Sequence, residues 1–137
     1  SCSLLISSEK IAIGILCRQF MGTPKEELAG GVEWFVNTVG NRGGGLPRKE
    51  RTNLYYWYYG TLCTFQQGGD MWKKWNEAMK PCLLETQRKG GDEDGSWDPE
   101  NTPGSGNAWG HMWGRVGQTA LSAICLEVYY RYLPMYR

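Results

Sequence analysis

Long apolar runs are missing from this sequence. No stretch reaches the roughly 18 to 20 apolar residues that a bilayer-spanning helix needs, so no transmembrane segment is expected. A charge excess is missing too. The 15 basic and 14 acidic residues leave a net charge of +1, which gives no electrostatic basis for binding nucleic acid or an acidic membrane surface. Only one histidine, His111, is present, and no C-x-x-C pair occurs among Cys2, Cys17, Cys63, Cys82 and Cys125. No metal site and no cofactor are expected on that basis. An odd set of five cysteines leaves at least one thiol free if the rest pair. Four of them lie within apolar helical patterns and read as small buried apolar residues. Unpaired cysteines point to a reducing compartment such as the cytoplasm. The start, SCSLLISSEK, lacks a basic n-region, a small-residue cleavage site and an initiator Met. It does not read as a signal peptide, and a processed form or a fragment would begin this way.

A chain of 137 residues reads as one domain, over 1–137 or as part of something longer. Helical signals recur along it. Ser8 to Met21 forms a helix capped by Ser7 or Ser8. It has no charge between Ile11 and Cys17, so it is expected to be buried on nearly every side. Gly22 ends it. Thr23, Pro24 and Glu26 then open a second helix in cap, first-turn and capping-box order. Leu28, Val32, Phe35, Val36 and Val39 give this helix one apolar face. Gly40 to Thr52 is a connection holding three consecutive glycines and Arg42, Arg48, Lys49 and Arg51. It lacks the Gly-Lys-Ser/Thr ending and preceding strand of a phosphate loop. Asn53 caps a third helix, to about Gln67, that carries no charge and a run of aromatics from Tyr55 to Tyr59. Asp70 caps a fourth, with an apolar stripe of Met71, Trp75, Met79, Cys82 and Leu83 and a kink expected at Pro81. Residues 88–115 read as a long polar loop, the kind that often serves function. A fifth helix, apolar on most sides, runs from about Gly117 to Tyr132 and stops before Pro134.

The order is buried, amphipathic, buried, amphipathic, buried. Repeated helical hairpins in two layers produce that alternation, with the buried helices inside. Weak internal repeats agree with it. Ala12-x-Gly14-x-x-Cys17 precedes Tyr58-x-Gly60-x-x-Cys63 by 46 residues, and Phe35-Val36-Asn37-Thr38 precedes Leu83-Leu84-Glu85-Thr86 by 48. Ala120 and Cys125 hold the same places in the fifth helix.

The stretch Leu83-Leu84-Glu85-Thr86-Gln87, followed by Asp94-Gly95-Ser96-Trp97 and then Thr119-Ala120-Leu121, resembles the repeat of terpene cyclases and protein prenyltransferase beta subunits. The segments NLYYWYYGT, GGDMWKKWNEA and LEVYYRYLP are similar to those of bacterial prenyltransferase and squalene oxidase repeat proteins of planctomycete type. The resemblance covers most of Ser8 to Tyr136. It implies an all-α fold of repeated hairpins, a partial α/α toroid around a central cavity. It also implies a structural role for Gln87, Gly95 and Trp97: the Gln ties to the start of the next helix and stacks on the Trp. Seven residues separate Gln87 from Gly95, more than the usual motif has, and Val39 stands where the first repeat would carry Gln. Five helices make less than half of a closed ring, so self-association or the rest of a longer chain is expected to cover the open flanks.

The resemblance also sets the catalytic expectations. Cyclases of this kind use an Asp-x-Asp-Asp acid motif. Asp92-Glu93-Asp94-Gly95 keeps its first and third acids, which makes Asp92 and Asp94 weak catalytic candidates; a solvated turn capped by Asp94 is the plainer reading. The related prenyltransferases hold zinc with Asp, Cys and His. His111 with Cys82 or Cys125 has no supporting spacing, and His111 reads as a loop residue rather than a base. The Gly-Cys-Gly-Glu-Gln thioester motif of the same fold is absent. Aromatic side chains offer the remaining option. Tyr55, Tyr58, Tyr59, Trp109 and Trp113 can line a cavity for an apolar small molecule or a sugar, against a reading in which they only pack the core. Two functions follow: a non-catalytic toroid module for binding or scaffolding, or an enzyme acting on isoprenoid substrates.

Overall fold

A computed structural model describes residues 8–37, 44–50, 52–99 and 110–132, with only the backbone of His111 and Tyr132. The expectations for Cys2, Val39, Arg42, Arg51 and Trp109 fall outside these residues. The described chain is all-α, as expected. Five helices follow one another: α1 (Ser8–Phe20), α2 (Lys25–Asn37), α3 (Leu54–Gln67), α4 (Gly69–Thr86) and α5 (Gly110–Tyr132).

Local chemistry sets several of the boundaries. The Asn53 side chain accepts the Tyr56 N–H at 3.1 Å, which satisfies one open donor at the start of α3. Its amide also donates to Glu9 at 2.6 Å, tying α3 to α1. Gly68 ends α3 at φ +74°, a backbone shape that favours glycine, and opens α4 one residue later. Asp70 therefore lies in the first turn of α4 rather than at its cap, where its charge still complements the helix dipole. α4 continues through Pro81, whose exposed position leaves the unpaired carbonyl one turn back on the wet side.

Packing centres on α3, which lies against all four other helices. α1 and α5 flank it, while α2 and α4 pack on it and on each other. This gives one row of α1, α3 and α5 and a second row of α2 and α4. Three rings join the rows edge to face. Tyr56 of α3 lies 6.3 Å from Phe35 of α2 and 5.6 Å from Trp75 of α4, and Phe35 lies 5.9 Å from Trp75. The Tyr56 hydroxyl donates to the Gly45 carbonyl at 3.0 Å, and burial pushes its pKa above the usual phenol range. Gly45 N–H in turn donates to the Phe35 carbonyl at 3.0 Å, and Leu46 packs on the core, so the described part of the 40–52 connection is held down. Lys49 is ion-paired with Glu85 of α4.

Three expectations are corrected. α1 is not buried on every side: Ala12, Ile15 and Leu16 face inward, while Gly14, Cys17 and Phe20 are exposed. α5 buries a stripe of Gln118, Ser122, Cys125 and Val128 and exposes Tyr129 and Tyr130. Lack of charge predicts burial only when neighbours exist to supply it, and only α3, the middle helix, has them on several sides. Cys17 is consequently exposed, unlike buried Cys63, Cys82 and Cys125; all four are free thiols. The loop expected over 88–115 is also shorter. α5 begins at Gly110, and a non-helical residue at Gly114 (φ +59°, ψ −167°) separates a first turn from the rest. The glycines around that turn made it read as loop.

Candidate functional site

The face of α3 turned away from α4 carries the aromatic residues. At 100° per residue, Tyr55, Tyr59 and Leu62 share one side of the helix, and Tyr58 stands beside them. Gly60 and Thr64 lie on the opposite side, where α4 packs. Tyr55 and Tyr59 meet edge to face at 5.0 Å, and Tyr59 meets Tyr58 at 5.1 Å. Trp113 joins from the first turn of α5, its ring 6.1 Å from that of Tyr55.

The break at Gly114 and the bare Cα of Gly117 allow that approach. A Cβ on Gly117 would lie 2.4 Å from Cβ of Trp113. The four rings are part-buried rather than sealed in the core. Burial, together with the neighbouring Tyr55 hydroxyl, pushes the Tyr59 phenol above its ordinary pKa. Tyr59 therefore adds a neutral hydroxyl to the π faces of the row. That surface suits apolar molecules, flat rings and cations. Tyr58 and Tyr59 also pack on Leu16, Leu62 and Val128, which fixes the row against three helices. Four of the five aromatic residues singled out in the sequence thus lie in one chain of ring contacts; Trp109 lies outside the described residues.

The Gln87–Trp97 stretch forms a compact turn. Gln87 donates through its side chain to the Gly95 carbonyl at 2.9 Å, and Gly95 holds φ +77°. Trp97 is buried and donates its indole N–H at 2.8 Å to the Leu83 carbonyl, which also accepts the Gln87 N–H at the end of α4. Its backbone N–H donates to the Thr119 hydroxyl at 3.1 Å. The tie to the next helix is thus made by Trp97, while Gln87 closes the turn. Arg115 of α5 adds to this tie: it pairs with Glu93 at 3.0 Å and with Asp98, and Arg88 pairs with Asp98 at 2.9 Å. Sequence reasoning missed this ion-pair cluster, because Arg115 was assigned to a loop.

Asp92 and Asp94 are exposed on this turn. The Asp94 carboxylate accepts the Gly90 N–H at 2.6 Å. Only the backbone of His111 is described, in the first turn of α5. Among the described residues, no group of three His, Cys, Asp or Glu side chains is placed to hold a metal ion, and no helix is long and apolar enough to cross a membrane. Comparison with protein-family models, with curated proteins and with solved structures gives no match.

Proposed function

We propose that this chain is a non-catalytic helical repeat module of the α/α-toroid type, and that it works by binding. The observation that carries this reading is the row of part-buried rings formed by Tyr55, Tyr58, Tyr59 and Trp113. It offers π faces backed by a fixed apolar floor, and it holds no charged side chain. Such a surface takes an apolar small molecule or a flat ring. The two-row packing of α1, α3 and α5 against α2 and α4 supports the repeat part of the proposal.

The second reading, an enzyme on isoprenoid substrates, requires an acid facing an apolar cavity. Asp92 and Asp94 stand on an exposed turn, and Asp94 is engaged with a backbone donor, which favours the first reading.

Native mass spectrometry of the purified chain tests both. A co-purified apolar ligand that is lost from a Tyr55→Ala/Tyr59→Ala variant of unchanged helicity is the expected result. A bare chain that also fails to bind farnesol, with tryptophan fluorescence equally unchanged in the parent chain and in the variant, would overturn the binding site. Conversion of a linear isoprenoid to a cyclised product, abolished by Asp94→Asn, would replace the proposal with the enzyme reading.

A further inference from the structure

Two glycines control how the first turn of α5 joins the rest of that helix. At Gly114 the backbone leaves the helix (φ +59°, ψ −167°), in a region that glycine enters freely and that strains other residues. A Cβ at Gly114 would meet nothing within 4 Å, so the backbone angles alone favour glycine there. Gly117 is the second. In a regular helix, residues four apart hold their Cβ atoms about 5–6 Å apart. Here a Cβ on Gly117 would lie 2.4 Å from Cβ of Trp113. The bent form of α5 therefore needs both glycines, and a straight form needs neither. A straight helix through two glycines is weakened but allowed.

The chain just after the break is pinned. Arg115 pairs with Glu93 at 3.0 Å and with Asp98, and it donates to the Ser96 hydroxyl at 3.0 Å. Gln118 and Ser122 follow, both buried. The turn before the break stands further out. Met112 is 64% exposed, and Trp113 carries the ring contact with Tyr55. A fixed base, a glycine break and a short piece that ends on one ring of the row make a hinge.

We propose that Gly110–Trp113 is a hinged arm that completes the ring row around its ligand. Bent at Gly114, the arm sets Trp113 against Tyr55 and the four-ring site is whole. Straight, it takes Trp113 away and leaves the three tyrosines. A ligand that touches Trp113 and the tyrosines together binds the bent form better and shifts the population toward it. Gly114 and Gly117 are then positioning residues for the site. This inference rests on the binding role proposed for the ring row.

The test uses the full chain labelled with 5-fluorotryptophan, with the Trp113 fluorine signal identified by its loss in Trp113→Phe. Gly114→Ala should move that signal in the free chain, because alanine favours the straight form. Gly117→Ala should move it the same way. Farnesol added to the parent chain should move it in the opposite direction. Each glycine variant should bind farnesol about tenfold or more weakly, with all four rings still present and helicity kept by circular dichroism. In a Trp113→Ala chain, which binds more weakly itself, adding Gly114→Ala should cost nothing further. A Trp113 signal indifferent to Gly114→Ala would overturn the arm, whether or not farnesol binds. An affinity loss from Gly114→Ala that is equally large without Trp113 would overturn it too, since the glycine would then act on the fold at large. A signal that responds to Gly114→Ala in a chain that binds no farnesol would overturn the binding role of the row, and ligand-driven closure with it.

Discussion

Gly60 shows how much one missing side chain decides. A Cβ there would lie 2.4 Å from the Trp75 ring, which is itself pinned by its indole N–H donating to the Thr61 hydroxyl at 2.9 Å. Gly60→Ala must therefore displace a held ring. Overpacking costs about 1–3 kcal/mol, against about 1 kcal/mol returned by better helix propensity. A net loss of up to about 2 kcal/mol in urea unfolding is expected. Gly14, its counterpart in the sequence repeat, has open space around it, so Gly14→Ala should be neutral or stabilising by up to about 1 kcal/mol. The repeat was legible in the sequence at both positions. Their opposite environments were not, because spacing does not tell which copy has a neighbour. The buried thiols give a second residue-scale test. Burial pushes Cys63 and Cys125 up to about 12, so the folded chain keeps protons that the unfolded chain releases. Stability should be full below pH ~9 and fall as pH rises toward 12, by about 1.4 kcal/mol per pH unit for each thiol. The slope of unfolding free energy between pH ~9 and ~11 should become shallower in Cys63→Ala. An unchanged slope would mean that the thiol already meets water.

At the scale of elements, helix ends held by side chains were the most legible. Asn53 was readable as the α3 cap because its side chain answers a local need of the helix start. Gln87, Gly95 and Trp97 were readable as a unit, but their division of labour was not: which atom reaches the next helix depends on how the turn closes in three dimensions. Trp97→Phe keeps most of the buried apolar area and removes the donor to the Leu83 carbonyl. The Leu83 carbonyl keeps the bond from the Gln87 N–H, so the loss is that of one net hydrogen bond, about 0.5–1.5 kcal/mol, and the thermal midpoint should fall accordingly. An unchanged midpoint would show that the hydrogen bond is replaced by water. The start of α5 was not legible, because glycines at 110, 114 and 117 read as loop. The structure uses Gly114 to turn a short helical piece and Gly117 to make room for Trp113. The ring row of α3 was readable as a candidate because a run of tyrosines is rare, yet only the helix geometry separates Tyr55 and Tyr59 from the sealed Tyr56.

In the whole molecule, the middle position of α3 should govern stability. It alone packs on every other helix, and eight of its residues are buried. α1 and α5 each leave a face open, with Phe20 65% exposed on one and Tyr130 77% exposed on the other. The sequence signals the three charge-poor helices alike, since composition carries no information about who stands at an edge. That difference has a measurable consequence. Local opening requires the loss of only the contacts that a segment makes, so helices with an open face exchange their amides through smaller openings than the one at the centre. Amides in the middle of α3, around Thr61 to Thr64, should be the slowest to exchange and should follow global unfolding as denaturant is added. Amides of Gly110 to Trp113, beyond the break at Gly114, should exchange fastest among the helical residues. If α1 or α5 proved as well protected as α3, their open faces would have to be covered in solution.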